Sequence, residues 1–228
     1  MESNMTPYEL KTNVRSKVIL VIALTSLFIG NRLFYFFNDL LTSCPQLEIY
    51  ISKWEYLGVI PSQITVAIVF GIIKWFFTNY LWKLNFVTKL CDVPNLNGKC
   101  EGVLISSYID SEGNPTELEM VLDIQQTWEK IRCVSTFDKS RSACDMVCID
   151  TTSPEGVLLK FTYVNKSQDA TYGIPQYAGY NELLLTEKTL VGQYFTARIP
   201  PTCGRIYLTR KGPDTEINQD VTSATILQ

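Results

Sequence analysis

The sequence predicts a membrane-anchored all-β protein: an N-terminal two-helix transmembrane hairpin followed by an eight-stranded antiparallel up-and-down β-barrel. Three observations predict it. Two apolar stretches, at about 18–37 and 61–83, match a hydrocarbon core about 30 Å thick at 1.5 Å of rise per residue. From residue 98 the apolar period switches to alternation, in eight short segments bounded by turn residues. No helical stretch separates those segments, and closing them into a cylinder removes exposed strand edges. The expected organisation is a hairpin over 1–89, a soluble sensing domain over 90–211 and a polar tail over 212–228.

The first span, KVILVIALTSLFIGNRLFYFF, follows Lys11, Arg15 and Lys17 and has no small-residue cleavage site after its apolar core. It reads as a retained anchor rather than a removed signal. Arg32 interrupts its outer third. Fifteen residues separate it from Lys17, about 22 Å along a helix, so its stem reaches the far interface by snorkelling while Phe34 to Phe37 form an aromatic belt. The functional alternative has Arg32 facing a partner helix, since charge inside a membrane is costly without a role. The second span starts at Pro61, where a helix needs no N–H, and ends with Lys74 beside Trp75, Tyr80 and Trp82. Ala67 and Gly71 on this span, and Ala23, Ser26 and Gly30 on the first, are small-residue patterns that admit a second helix closely.

Basic residues set the orientation. Three precede the first span and Lys83 and Lys89 follow the second, whereas the connection from Asn38 to Tyr56 holds one Lys and three acids. The positive-inside bias places both termini and the soluble domain in the cytoplasm. Reduced cysteines agree with that compartment.

The eight strand candidates are Gly98–Ile109, Glu117–Trp128, Lys130–Phe137, Ser142–Thr151, Gly156–Asn165, Asn181–Lys188, Leu190–Arg198 and Gly204–Lys211. In the second, Leu118, Met120, Leu122, Ile124 and Trp128 share one face, opposite Glu119, Asp123 and Thr127. SEGNP, SPEG and IPPTCG supply turn chemistry between strands. Gly192 and Gly204 read as bends that help the sheet close. A β-sandwich is the alternative architecture.

Charge divides along the chain. There are 8 basic and 5 acidic residues up to Lys89, but 12 basic and 18 acidic after it. A soluble half this acidic is unsuited to gripping long nucleic acid by counterion release. Seven cysteines without clustered spacing read as small apolar packing groups, and with no histidine a zinc site would need distant cysteines. Missing too are a Walker loop, H-E-x-x-H and G-x-S-x-G, so no catalytic residues and no metal are expected.

VPNLNGKCEG at 93–102, LLKFTYVN at 158–165 and LVGQYFTARIPPTCGRIYLTRK at 190–211, with the order hairpin then barrel, resemble the bacterial CBASS effectors that have two transmembrane helices and a β-strand-rich domain. Cys100 stands where that family usually has Trp, which removes an aromatic plug from the first strand. The resemblance implies an antiphage effector, not an enzyme. It would take a cyclic dinucleotide as activating ligand and need no other cofactor. A cGAS-like nucleotidyltransferase would make this cyclic oligonucleotide; the chain would then form a homo-oligomer and disrupt the lipid bilayer to cause abortive infection. A phosphodiester ring needs a few guanidiniums and aromatic faces converging in a desolvated cavity. Strand parity offers Tyr194, Thr196 and Arg198 on one strand, and Arg205 and Tyr207 on the next. Tyr180 and Trp128 are candidates for stacking bases, and Arg32, Ala67 and Gly71 for membrane assembly. Competing classes are a tethered lipocalin-like binder of an apolar molecule and a membrane scaffold for a protein partner.

Overall fold

A computed structural model describes residues 5–10, 13–41, 61–110, 112–167, 176–186 and 188–211. The polar tail expected after residue 211 and most of the connection between the apolar spans lie outside the described residues. The chain forms two compact units, one of strands and one of helices, and the helical unit includes residues 126–130.

In the helical unit, α1 is Val14–Leu41 and α2 is Pro61–Asn79. A 3₁₀ turn at Leu81–Lys83 and the short α3, Asn85–Cys91, follow. Asp92 ends α3 in the left-handed region, at φ 50°. Two stretches, Val14–Asn38 and Gln63–Lys83, are long and apolar enough to cross a membrane. Their outward residues are apolar: Leu20, Phe28, Phe36, Ile68, Ile72 and Trp75 are all exposed. Such a surface is compatible with lipid, since each helix satisfies its own backbone. The two helices meet where α1 carries no side chain: a Cβ on Gly30 would lie 2.8 Å from Val66 Cα.

Among the described residues the strand unit has nine strands, one more than the sequence predicts. They are β1 Thr6–Leu10, β2 Gly98–Ile109, β3 Pro115–Gln126, β4 Lys130–Thr136, β5 Ser140–Asp150, β6 Val157–Ser167, β7 Tyr177–Leu185, β8 Thr189–Thr196 and β9 Cys203–Arg210. From β2 to β9 each strand is one of the eight expected, and the sheet closes on itself in the order β1-β4-β3-β2-β9-β8-β7-β6-β5. A sandwich of two open sheets is thereby replaced by a closed ring. The ninth strand has a physical reason. β4 and β5 pair directly only over Val134–Thr136 with Arg141–Ala143. Beyond that short ladder β1 lies between them, with the Thr6 hydroxyl donating to the Ile131 carbonyl at 3.2 Å and Tyr8 buried.

Alternation sorts the side chains. Leu122, Ile149, Leu159, Leu183 and Ile206 are fully buried inside the ring, each worth roughly 1.5–3 kcal/mol of apolar burial. Two inward glycines allow neighbouring strands to come close: a Cβ on Gly192 would strike the Glu182 carbonyl, and one on Gly204 the Ile105 carbonyl. An open lumen along the whole axis is not what forms. Apolar side chains occupy much of it, and a small chamber remains at one end.

Candidate functional site

The inward face changes from apolar to polar towards one end of the ring. Along β6 the inward series runs Leu159, Phe161, Tyr163, Asn165; along β8 it runs Leu190, Gly192, Tyr194, Thr196. Register brings the polar ends together, because Asn165 pairs with Tyr177 and with Ser142, Gly179 with Thr196, and Tyr194 with Gly204. A chamber of about 70 Å³ remains there, lined by Ser106, Ser142, Tyr163, Tyr177, Tyr194 and Arg198 among others. Arg198 is the one charged residue among its described lining.

Hydrogen bonds hold this end in shape. The Tyr194 hydroxyl donates to Ser106 Oγ at 2.7 Å and Ser142 Oγ donates to Asn165 Oδ1 at 2.7 Å. The Thr196 and Thr202 hydroxyls lie 2.9 Å apart across the β8–β9 connection, and Thr202 N donates to Thr196 Oγ1 at 3.0 Å. The Arg198 guanidinium sits 5.6 Å from the Tyr108 ring centroid and 6.0 Å from that of Tyr177, within cation–π reach. Burial pushes the Tyr163 phenol well above its ordinary range. Burial also raises Tyr177, against the lowering effect of Arg198. Both phenols therefore stay protonated and able to donate. At this end Asn165 Nδ2 and Ser135 Oγ, the latter opposite Ser142 in the β4–β5 ladder, are buried with no partner among the described residues. An unsatisfied buried group costs about 1–3 kcal/mol, so this end gains from any molecule that supplies hydrogen-bonding partners.

The expected site residues separate into groups. Tyr194, Thr196 and Arg198 come together at the chamber. Arg205 and Tyr207 do not join them: their strand turns Gly204, Ile206 and Leu208 inward, and both face out, with Arg205 Nη1 3.5 Å from Tyr207 Oη. Tyr180 also faces out, where its hydroxyl donates to Glu182 Oε2 at 3.0 Å. Lys160 lies beside it, 3.6 Å from that carboxylate and 3.4 Å from Asp150 Oδ2. Trp128 is buried in the helical unit, with Phe77 and Trp82. Of the membrane candidates, Ala67 lines a groove between α1 and α2, Gly71 has nothing within 4 Å of a built Cβ, and Arg32 extends over Phe28 at 5.7 Å. Sequence reasoning missed Tyr163, Asn165 and Tyr177. The first two lay in the quoted LLKFTYVN, whose parity alone assigns them one face; Tyr177 was lost because its strand was started at Asn181.

A second, larger concavity of about 800 Å³ lies on the outer side of β5 and β6, lined by Thr136, Arg141, Ala143, Cys144, Asp145 and Lys166. Its Arg141 and Lys166 are cross-strand partners.

Residues 91–210 match the family model described as Cap15, cyclic dinucleotide receptor domain. That span runs from the end of α3 to the end of β9 and takes in all eight long strands. Among characterised proteins, CD-NTase-associated protein 15 of Yersinia aleksiciae is similar, 27% identical over 203 residues that cover 86% of this chain and 92% of that protein. An alignment that long reaches beyond the strands into the apolar helices.

Proposed function

The chain belongs to the Cap15 cyclic dinucleotide receptor family of CBASS effectors, and from that premise we propose that the polar end of its strand ring is where the cyclic dinucleotide binds. The observation that carries this is Arg198 held between the faces of Tyr108 and Tyr177. A guanidinium pairs with a phosphodiester oxygen in fork geometry, and a tyrosine face accepts a base of any sequence by stacking. Asn165 Nδ2 and Ser135 Oγ add unused hydrogen-bonding capacity at the same end.

Size adds a requirement. Sites for ligands of this class hold roughly 300–1,000 Å³, against a chamber of about 70 Å³. Binding must therefore open this end, and Arg198, beyond the last residue of β8, leaves its tyrosine faces to meet the phosphate. An apolar ligand is disfavoured because hydroxyls and a guanidinium line much of the space. The outer groove has the volume, with Arg141 and Lys166 beside Asp145, and is the alternative place that the experiment below distinguishes.

The second half of the proposal concerns the membrane. Two helices cannot enclose a path through a bilayer, so disruption takes several chains, with the spans packed together after ligand binds. Arg15 and Lys17 before the first span and Lys83 and Lys89 after the second favour a cytoplasmic strand unit at the inner membrane.

The deciding experiment titrates the detergent-solubilised full chain with a panel of cyclic dinucleotides, linear dinucleotides and fatty acids, read by thermal shift. One cyclic dinucleotide stabilising the wild type but not Arg198→Ala is expected, while Arg141→Ala responds normally. Loss of the response in Arg141→Ala alone moves the site to the outer groove. Stabilisation by fatty acids alone defeats the proposal.

A further inference from the structure

The ladder that joins β4 to β5 carries a feature that ligand binding does not use. Val134 pairs with Ala143 at the end of that ladder, and Cys133 and Cys144 are the next residue on each strand. The Cys133 backbone N–H donates to Cys144 Sγ at 3.0 Å, so the second sulfur lies against the backbone of the first cysteine. Exposure differs between the two. Cys133 is fully buried, while Cys144 is partly exposed and lines the outer groove with Arg141 and Lys166. β5 bulges immediately after Cys144, between its pairings with Tyr163 and Phe161.

We infer that Cys133 and Cys144 are a peroxide-sensing dithiol, in which Cys144 is the residue attacked from the groove and Cys133 the residue that closes a cross-strand disulfide. In the first step the Cys144 thiolate attacks a peroxide oxygen; an S–O bond forms, the O–O bond breaks, and hydroxide leaves. In the second, the Cys133 sulfur attacks the sulfenic sulfur, an S–S bond forms, and the hydroxyl departs as water with the Cys133 proton. Two thiols are oxidised and one peroxide is reduced to water, and a cellular thiol reverses the change by exchange.

The electrostatics agree. The Cys144 thiol is brought down from 9.0 to about 6, first by the Cys133 thiol that donates to it, with help from the Cys133 N–H and the Thr6 hydroxyl and against its own burial. That hydrogen bond, together with burial, pushes Cys133 well above the ordinary range. The attacking sulfur is therefore the ionised and reachable one, and the resolving sulfur keeps its proton until needed. A bond here would pin the strand that leads into Phe137, Ser140 and Ser142, all in the chamber wall. That consequence rests on the ligand site proposed above; the thiol chemistry does not.

The test treats the reduced full chain in detergent with hydrogen peroxide and maps the products by peptide mass spectrometry. The exposed Cys203 is an internal reference. The expected result is one linkage between the Cys133 and Cys144 peptides, lighter by two hydrogens, forming at least about tenfold faster than oxidation of Cys203. In Cys133→Ser, dimedone should trap a sulfenic acid at Cys144; in Cys144→Ser, Cys133 should stay reduced. Oxidation of Cys144 no faster than Cys203, or a different cysteine pairing, overturns the inference. Comparing ligand affinity of oxidised and reduced chains then separates the two ideas. If neither form binds, the ligand site fails while the dithiol stands; equal binding by both refutes the control of the chamber.

Discussion

Trp128 stands edge-on to Phe77, with ring centroids 5.0 Å apart and planes at 85°. Trp82 packs on the same indole at 6.3 Å. Arg15 Nη2 donates to the Trp128 carbonyl at 3.3 Å, and Lys74 pairs with Glu129 at 3.1 Å. A turn between two strands is thus gripped by the start of α1 and the last turns of α2. The exposed Lys74–Glu129 pair adds about 0–1 kcal/mol, so the aromatic cluster supplies most of the grip.

Trp128→Ala should destabilise the chain by about 3–5 kcal/mol, the usual cost of truncating a buried tryptophan, measured by denaturant unfolding in detergent. Trp128→Phe should recover more than half. Ligand affinity should stay within about threefold in Trp128→Phe; a larger loss would put the indole against the ligand instead.

Arg198→Ala should weaken cyclic dinucleotide binding by about 10- to 100-fold, the effect of removing one charged hydrogen-bonding partner, by calorimetry. Arg198→Lys should restore only part, since an ammonium lacks the planar fork. Binding unchanged in Arg198→Ala rules out this end of the ring.

Tyr194→Phe removes a single donor. Ser106 Oγ still accepts from the Tyr108 N–H at 3.1 Å, so the loss should be about 0.5–1.5 kcal/mol. A loss above about 3 kcal/mol would mean that the hydroxyl organises more than Ser106.

Stability should depend on pH through the cysteine pair. Cys144 titrates near 6 when folded, below its ordinary 9.0, so between these values the unfolded chain holds the extra proton and stability rises with pH. The contribution is lost as pH falls through 6. Above about 9 the raised Cys133 reverses the slope. Asp123 and Cys100 act on Cys133, and Arg141, Asp145 and Lys166 share the groove with Cys144, so the readout is a difference. Denaturant unfolding between pH 5.5 and 8.5 should rise more steeply for wild type than for Cys144→Ser. Parallel curves would refute the assignment.

Gly30→Leu and Gly71→Leu should behave differently. Gly30 abuts Val66, whereas Gly71 faces open space. Gly30→Leu should force the helices apart and lower the thermal midpoint. Gly71→Leu should leave the single chain unchanged and reduce ligand-induced assembly, read by cross-linking in liposomes. Normal assembly in Gly71→Leu would place the contact on another face.

The apolar helices and strands β2 to β9 were legible because each follows from a local period, 3.6 or 2, that burial enforces over many residues. Inward placement of Met120, Leu122 and Ile124 followed for the same reason. The β1 strand was not legible: its five residues, one a proline, are too few for their alternation to stand out, and Thr6 meets its partner Ile131 across 125 positions. Parity within one strand was readable, but which parity of β9 faces inward was not, so Arg205 and Tyr207 were assigned to the lumen although they face out.

By itself the sequence determined two membrane-length helices and an eight-strand alternating half, because hydrophobic period and length are properties of the chain alone; its short motifs carried the resemblance to the effector family. Tertiary structure alone decided that a ninth strand joins the ring, that a small polar chamber lies at one end of an interior otherwise rich in apolar side chains, and that Trp128 belongs with the helices. Those outcomes depend on register and on contacts between residues far apart in the chain, and local preference carries no information about either.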